Sequence, residues 1–193
     1  FALKRIMMIC LLGALAGCVQ QQVETTNVSS RDTPIKPADA QKRAKIHTDL
    51  GAGYYERGQL GVALDELKEA LRVDPNYAPA YNVMGLVYME LREDGDAERS
   101  FRRALEIDPL DSDTNNNYGW FLCQHKHEDQ SIKYFMTALK NPLYATPEKS
   151  YFNAGICMRQ KGDEQAAEEY FLKALRIRPG LPQALYNMAD LSY

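Results

Sequence analysis

The sequence predicts an all-α fold, a right-handed superhelical solenoid of stacked helix pairs. Three observations predict it. Four glycines, Gly51, Gly85, Gly119 and Gly155, recur with gaps of 34, 34 and 36 residues. Twelve residues after each glycine stands a small residue (Ala63, Ala97, Ser131, Ala167), and seven further on stands an alanine (Ala70, Ala104, Ala138, Ala174). Between the two small positions lies one bulky residue: Leu67, Phe101, Phe135 or Phe171. Small residues let two helices approach closely, and the bulky one fills the space beside them. Four copies in one register exclude chance periodicity in an alanine-rich chain, so these glycines and alanines are read as packing residues with no chemical role.

The unit resembles the tetratricopeptide repeat, a helix–turn–helix element that stacks into an extended binding surface. In chain order, residues 44–77, 78–111, 112–147 and 148–181 form four repeats. The glycine marks the first helix of each and the two small positions mark the second. Each unit closes with a similar ending, Ala70-Leu71 to Pro75, Ala104-Leu105 to Pro109, Ala138-Leu139 to Pro142 and Ala174-Leu175 to Pro179. Proline cannot continue a helix and ends it. The two extra residues of the third repeat fall at Asn141 to Pro147 and lengthen that turn. Residues 182–193 open a fifth repeat with Leu185 and Tyr186 and stop one helix short. The apolar run Leu185, Tyr186, Met188, Ala189 and Leu191 where a polar cap belongs predicts that the natural protein continues.

Residues 1–17 read as a targeting segment. Lys4 and Arg5 precede an apolar stretch from Ile6 to Leu15, too short to span a bilayer, which takes about 20 residues. Phe1 in place of methionine points to a truncated or misassigned start. Leu15-Ala16-Gly17-Cys18 resembles the bacterial lipoprotein signal, with cleavage before Cys18 and lipidation on it. The alternative is an ordinary secretory signal with an incidental cysteine. Cleavage would leave 21 basic and 26 acidic residues, a net charge of −5 in place of −3. Val19 is not the aspartate associated with inner-membrane retention, so the resemblance points to the outer membrane. More than one acyl chain gives stable attachment. Residues 18–43 read as the lipidated N-terminus and a flexible tether, because Gln20 to Gln22, Thr25 to Ser30, Pro34 and Pro37 carry no apolar period.

The composition narrows the function. A chain of 193 residues suffices for one domain of ordinary size, and without a long basic run nothing favours nucleic acid. A repeat solenoid offers a groove to a protein partner and no pocket to a small-molecule substrate. Of four cysteines, Cys10 leaves with the signal and Cys18 takes lipid. Cys123 and Cys157 remain, on first helices of adjacent repeats, either as a disulfide or as two small buried thiols.

The first helices are expected to line the concave face. Counting along each repeat, Thr48, Ala52, Tyr55, Asn82, Leu86, Met89, Asn116, Trp120, Phe152, Ile156 and Arg159 point into the groove or pack between helices. The set is apolar and aromatic with a few amides, which suits an extended or helical peptide held by apolar anchors. Trp120, the single tryptophan, is the leading contact residue. The two-carboxylate clamp that some repeat proteins use on acidic C-termini needs lysine, asparagine and arginine at set places. Thr48, Ala52, Val83, Asp113 and Asn117 do not supply them. Cys123, His125 and His127 form a C-x-H-x-H string, but the histidines fall in a turn without a fourth ligand, so no metal, cofactor or enzymatic activity is expected. No glycine-rich phosphate loop follows a strand.

The third and fourth repeats carry more than the generic pattern. Asn116-Asn117-Tyr118-Gly119, Phe121-Leu122-Cys123, Asn141-Pro142-Leu143-Tyr144 and Ala154-Gly155-Ile156-Cys157 resemble the type IV pilus biogenesis lipoproteins of the PilF/PilW family. The lipoprotein signal and the polar tether match as well. The resemblance implies a pilotin-like factor, lipid-anchored in the outer membrane and facing the periplasm. Such a factor binds the pilus secretin subunit and promotes its localisation or multimerisation, or stabilises pili. It also supports pairing of Cys123 with Cys157. Family members typically have six repeats, so the last one and a half or so would lie outside this chain. The competing expectation is a repeat lipoprotein that scaffolds envelope or cell-wall assembly complexes without a pilus role.

Overall fold

The computed structural model describes residues 36–191, which belong to one compact unit. Among them the chain is helix and turn throughout. The helices are α1 (Pro37–Glu56), α2 (Leu60–Val73), α3 (Ala78–Leu91), α4 (Asp94–Ile107), α5 (Ser112–Gln124), α6 (Glu128–Ala138), α7 (Pro147–Lys161), α8 (Glu164–Ile177) and α9 (Pro182–Leu191). The odd-numbered helices α1 to α7 are the first helices of the four repeats, and the even-numbered are the second. Helix α9 opens the fifth unit.

The tether ends earlier than its composition suggested. Residues 37–43 belong to α1, which starts with Pro37 at its first position. Proline breaks a helix only in the interior; at the first position its missing N–H is one the helix would leave unpaired anyway. Ala38, Ala40 and Ala44 then carry the helix forward. The rest of residues 18–43, the targeting segment and Cys18 lie outside the described residues.

Each first helix packs most extensively on its own second helix, through the small–bulky–small pattern. Leu67, Phe101, Phe135 and Phe171 are fully buried. Each points at the glycine of its own repeat. A Cβ added to Gly51 would stand 2.8 Å from Leu67, and Cβ atoms at Gly85, Gly119 and Gly155 would stand 2.6, 2.8 and 2.5 Å from the phenylalanine rings. Glycine is needed here because the partner ring occupies the place of a side chain. The alanine positions are likewise fully buried, and Ser131 replaces alanine without exposure.

Consecutive first helices also touch, α1 to α3, α3 to α5 and α5 to α7, whereas second helices reach mainly the first helices on either side. The stack therefore curves with its first helices on the inner face. Aromatic packing thickens the middle: Tyr118 lies 5.9 Å from Phe101 and 6.0 Å from Phe121, and meets Tyr134 edge-on at 4.8 Å. Burial and then the Glu98 carboxylate push the Tyr118 phenol up to about 12.

The turn inside each repeat bends through a left-handed residue seven places after the glycine. Gly58 and Gly162 take it at φ 71° and 86°, but Arg92 and Lys126 take it at 63° and 61°. Between the second and third repeats, Asp111 caps α5 by accepting from the Thr114 amide at 2.7 Å, and within the fourth, Asp163 caps α8 by accepting from the Ala166 amide at 3.0 Å.

Candidate functional site

The inner face is built from α1, α3, α5 and α7. Tyr55, Leu86, Met89, Trp120, Phe152, Ile156 and Arg159 are all half-buried there. Helices α1 and α3 touch, and burial and then the Glu90 carboxylate of α3 push the Tyr55 phenol up. Leu86 and Met89 pack on the Phe101–Tyr118–Phe121 cluster, and Trp120 on the cluster of Cys123, Phe135, Ala154 and Cys157. Phe152 leans inward, with its ring 5.8 Å from that of Phe171, so much of it serves the core of repeat four. Arg159 is engaged as well, donating to Asp190 of α9 at 2.8 Å.

The polar residues of this face form a single hydrogen-bonded chain. Asn116 is nearly buried, and its Oδ1 accepts from Ser150 Oγ at 3.0 Å and from Asn153 Nδ2 at 3.1 Å, both on α7. Asn116 Nδ2 donates to Asn117 Oδ1 at 3.3 Å, and Asn117 Nδ2 donates to Asn82 Oδ1 on α3 at 3.0 Å. Three consecutive first helices are thus tied by amides at one level. Asn82 and Asn116 were expected on the inner face; Asn117 entered only as a position of the carboxylate clamp, and Ser150 was not singled out. The paired asparagines 116–117 and the asparagine at 153 were the available signal, since amides on a face of apolar residues need partners. A fixed row of amides beside half-buried apolar side chains can hydrogen-bond an extended backbone while apolar neighbours take its side chains.

Cys123 on α5 and Cys157 on α7 lie with Cα atoms 5.7 Å apart and their sulfurs joined as a disulfide. That separation is ordinary for a disulfide. The bond ties the same two helices as the Asn116 amide, beneath Trp120. The C-x-H-x-H string is not brought together. His125 Nδ1 lies 2.8 Å from the Phe121 carbonyl and Nε2 lies 3.1 Å from Asp94. His127 precedes α6 on the surface. Among the described residues no three histidine, cysteine or acidic side chains are placed to hold a metal ion.

Comparison with known proteins agrees with this architecture. Sequence profiles of the tetratricopeptide repeat match residues 44–91, 78–111, 100–133 and 148–181. The chain is 29% identical over 191 residues to the type IV pilus assembly protein PilF of Pseudomonas aeruginosa, covering 98% of this chain and 73% of that protein. The crystal structure of PilW, described as a widely conserved type IV pilus biogenesis factor, superposes with a TM-score of 0.73. It is 35% identical, and the match covers 77% of this chain and 68% of PilW. The structure of Pseudomonas aeruginosa PilF superposes with a TM-score of 0.76 at 30% identity, covering 79% of this chain and 68% of that one.

Proposed function

The chain belongs to the PilF/PilW family of tetratricopeptide-repeat proteins of type IV pilus biogenesis, and from that premise we propose that it is a pilotin-like factor. In this reading it is anchored in the outer membrane through lipid on Cys18. It holds a segment of the pilus secretin subunit in its inner groove and promotes the secretin's localisation or multimerisation. The observation that carries the reading is the amide chain Asn82–Asn117–Asn116–Asn153, set among the apolar side chains of Tyr55, Leu86, Met89 and Trp120. A secretin subunit crosses the periplasm before its strands have paired. An unpaired strand presents backbone donors and acceptors together with apolar side chains. A groove with both kinds of group matches that chemistry, and the disulfide beneath it holds the two central helices at fixed spacing. Binding is the whole of the proposed activity; no cofactor, substrate or catalytic step is assigned.

The test is capture of the secretin by the full chain. Wild-type protein is expected to retain unassembled secretin. Asn117→Ala with Trp120→Ala is expected to lose most of it while keeping its helical content. Equal capture by the double variant would move the binding surface elsewhere. Absence of capture by the wild type would remove the secretin as partner.

A further inference from the structure

A second concave feature lies outside the amide row, on the edge of the stack where first helices begin. The turn between α4 and α5 faces the lengthened turn between α6 and α7 across a pocket of about 520 Å³. Both walls are pinned. Asn115, almost fully buried, donates through Nδ2 to the carbonyls of Pro109 at 3.0 Å and Asp111 at 2.7 Å. Across the pocket, Asn141 Oδ1 accepts from the Leu143 amide at 2.9 Å, and the Asn141 carbonyl accepts from the Tyr144 amide at 3.1 Å.

One wall is acidic and the rim is apolar. Asp108, Asp111 and Asp113 line the pocket with one cation, Lys140. Asp108 and Asp111 each spend one carboxylate oxygen on a backbone amide, of Leu110 and Thr114 respectively. No ion pair within the described residues reaches any of the three carboxylates. Three carboxylates stand against two lysines, Lys140 in the lining and Lys149 near Asp113, so negative charge is in excess here. The carboxylates are not grouped closely enough to hold a metal ion. Leu110 and Leu143 stand 62% and 87% exposed at the rim, against the usual tendency of leucine to be buried. Tyr144 lines the pocket at 9% exposure.

We propose that this pocket docks a lysine or arginine flanked by apolar residues on a peptide segment of a protein partner. The cation sits against the three carboxylates, whose excess charge is complementary to it, and its apolar neighbours cover Leu110 and Leu143. A long basic side chain suits such a site because its methylene stem is apolar while its head is charged. The lining of the pocket shares no residue with the amide row, so the two can be tested by separate substitutions.

The experiment is a titration of the full chain with two dye-labelled peptides, Gly-Leu-Arg-Leu-Gly and the same peptide with citrulline in place of arginine. Binding is read by anisotropy and by amide chemical shifts. The arginine peptide is expected to bind saturably, more weakly as salt rises, with shifts at residues 108–113 and 140–145. Asp113→Asn and Leu143→Ser, both at exposed positions, are each expected to weaken it about five- to tenfold while leaving the helical melt unchanged. Asn117→Ala, which disables the groove, is expected to leave it unaltered. Equal affinity for the citrulline peptide overturns the proposal, as does absence of binding or shifts confined to Asn82, Asn117 and Trp120.

Discussion

Replacing Gly85 by alanine tests the packing of the repeats at one atom. Alanine is the better helix former by about 1 kcal/mol, so propensity alone predicts stabilisation in the interior of α3. The structure predicts the reverse. The new Cβ would meet Phe101 Cε1, Cδ1 and Cζ at 2.6, 2.7 and 2.8 Å, all closer than real Cβ contacts allow. Phe101 is fully buried among Ala97, Tyr118, Phe121 and Leu122 and has no space to retreat into. Overpacking of this kind costs about 1–3 kcal/mol, here toward the upper end because three ring atoms clash. The net effect is a loss of about 1–2 kcal/mol after the propensity gain. Gly53 is the internal control: it lies within α1 with nothing within 4 Å of its Cβ position. Gly53→Ala should therefore gain about 0.5–1 kcal/mol. For a domain of this size 1 kcal/mol moves Tm by about 2–4 °C. Calorimetry should place Gly85→Ala roughly 3–6 °C below wild type and Gly53→Ala about 1–3 °C above it. A Gly85→Ala protein as stable as wild type would refute the close approach of α3 to α4.

Three further outcomes are expected. Arg92→Gly and Lys126→Gly should each stabilise by about 0.5–1 kcal/mol in urea titrations, because both residues sit in the left-handed region that glycine occupies at Gly58 and Gly162. The Phe121 carbonyl first, then Asp94, hold the His125 imidazole above its ordinary value near 6.5, so its contribution is full below about pH 6.5 and lost as pH rises through the higher folded value. Tm measured from pH 5.5 to 8.5 should fall across that window less steeply in Asp94→Asn than in wild type. Reduction of Cys123–Cys157, which closes a loop spanning 34 positions, should lower stability by about 3–4 kcal/mol, and Cys123→Ser should match the reduced protein while ignoring reductant.

The repeats were legible because their signal is volume at fixed spacing. The glycine, the two small residues and the bulky one between them each have one place in a close helix pair, and Phe101, Phe135 and Phe171 fill it. The start of α1 was not legible. Pro37 breaks helices in most positions, and only its place at the first one makes it a start. Part of the groove was readable from position alone, since Tyr55, Leu86, Met89 and Trp120 share the face of the first helices. Phe152 and Arg159 have the same periodicity, yet one turns toward Phe171 and the other toward Asp190. Spacing along one helix does not report what the helices packed against it offer. The pairing of Asn117 and Asn153 with other amides was not legible for the same reason: it comes from hydrogen bonds between residues 35 and 37 positions apart, on different helices. The acidic pocket depends on how two inter-repeat turns face each other. The sequence revealed only that the second of them is two residues longer than its counterparts.

The most direct test of the central claim is the state of the pilus secretin in cells whose copy of this protein carries Cys18→Ala. Secretin is scored as detergent-resistant multimers in separated membrane fractions. A lipid-borne pilotin predicts that multimers disappear or collect in the inner membrane while the protein itself is still made. Normal multimers in the outer membrane, in that strain and in a full deletion, would contradict it.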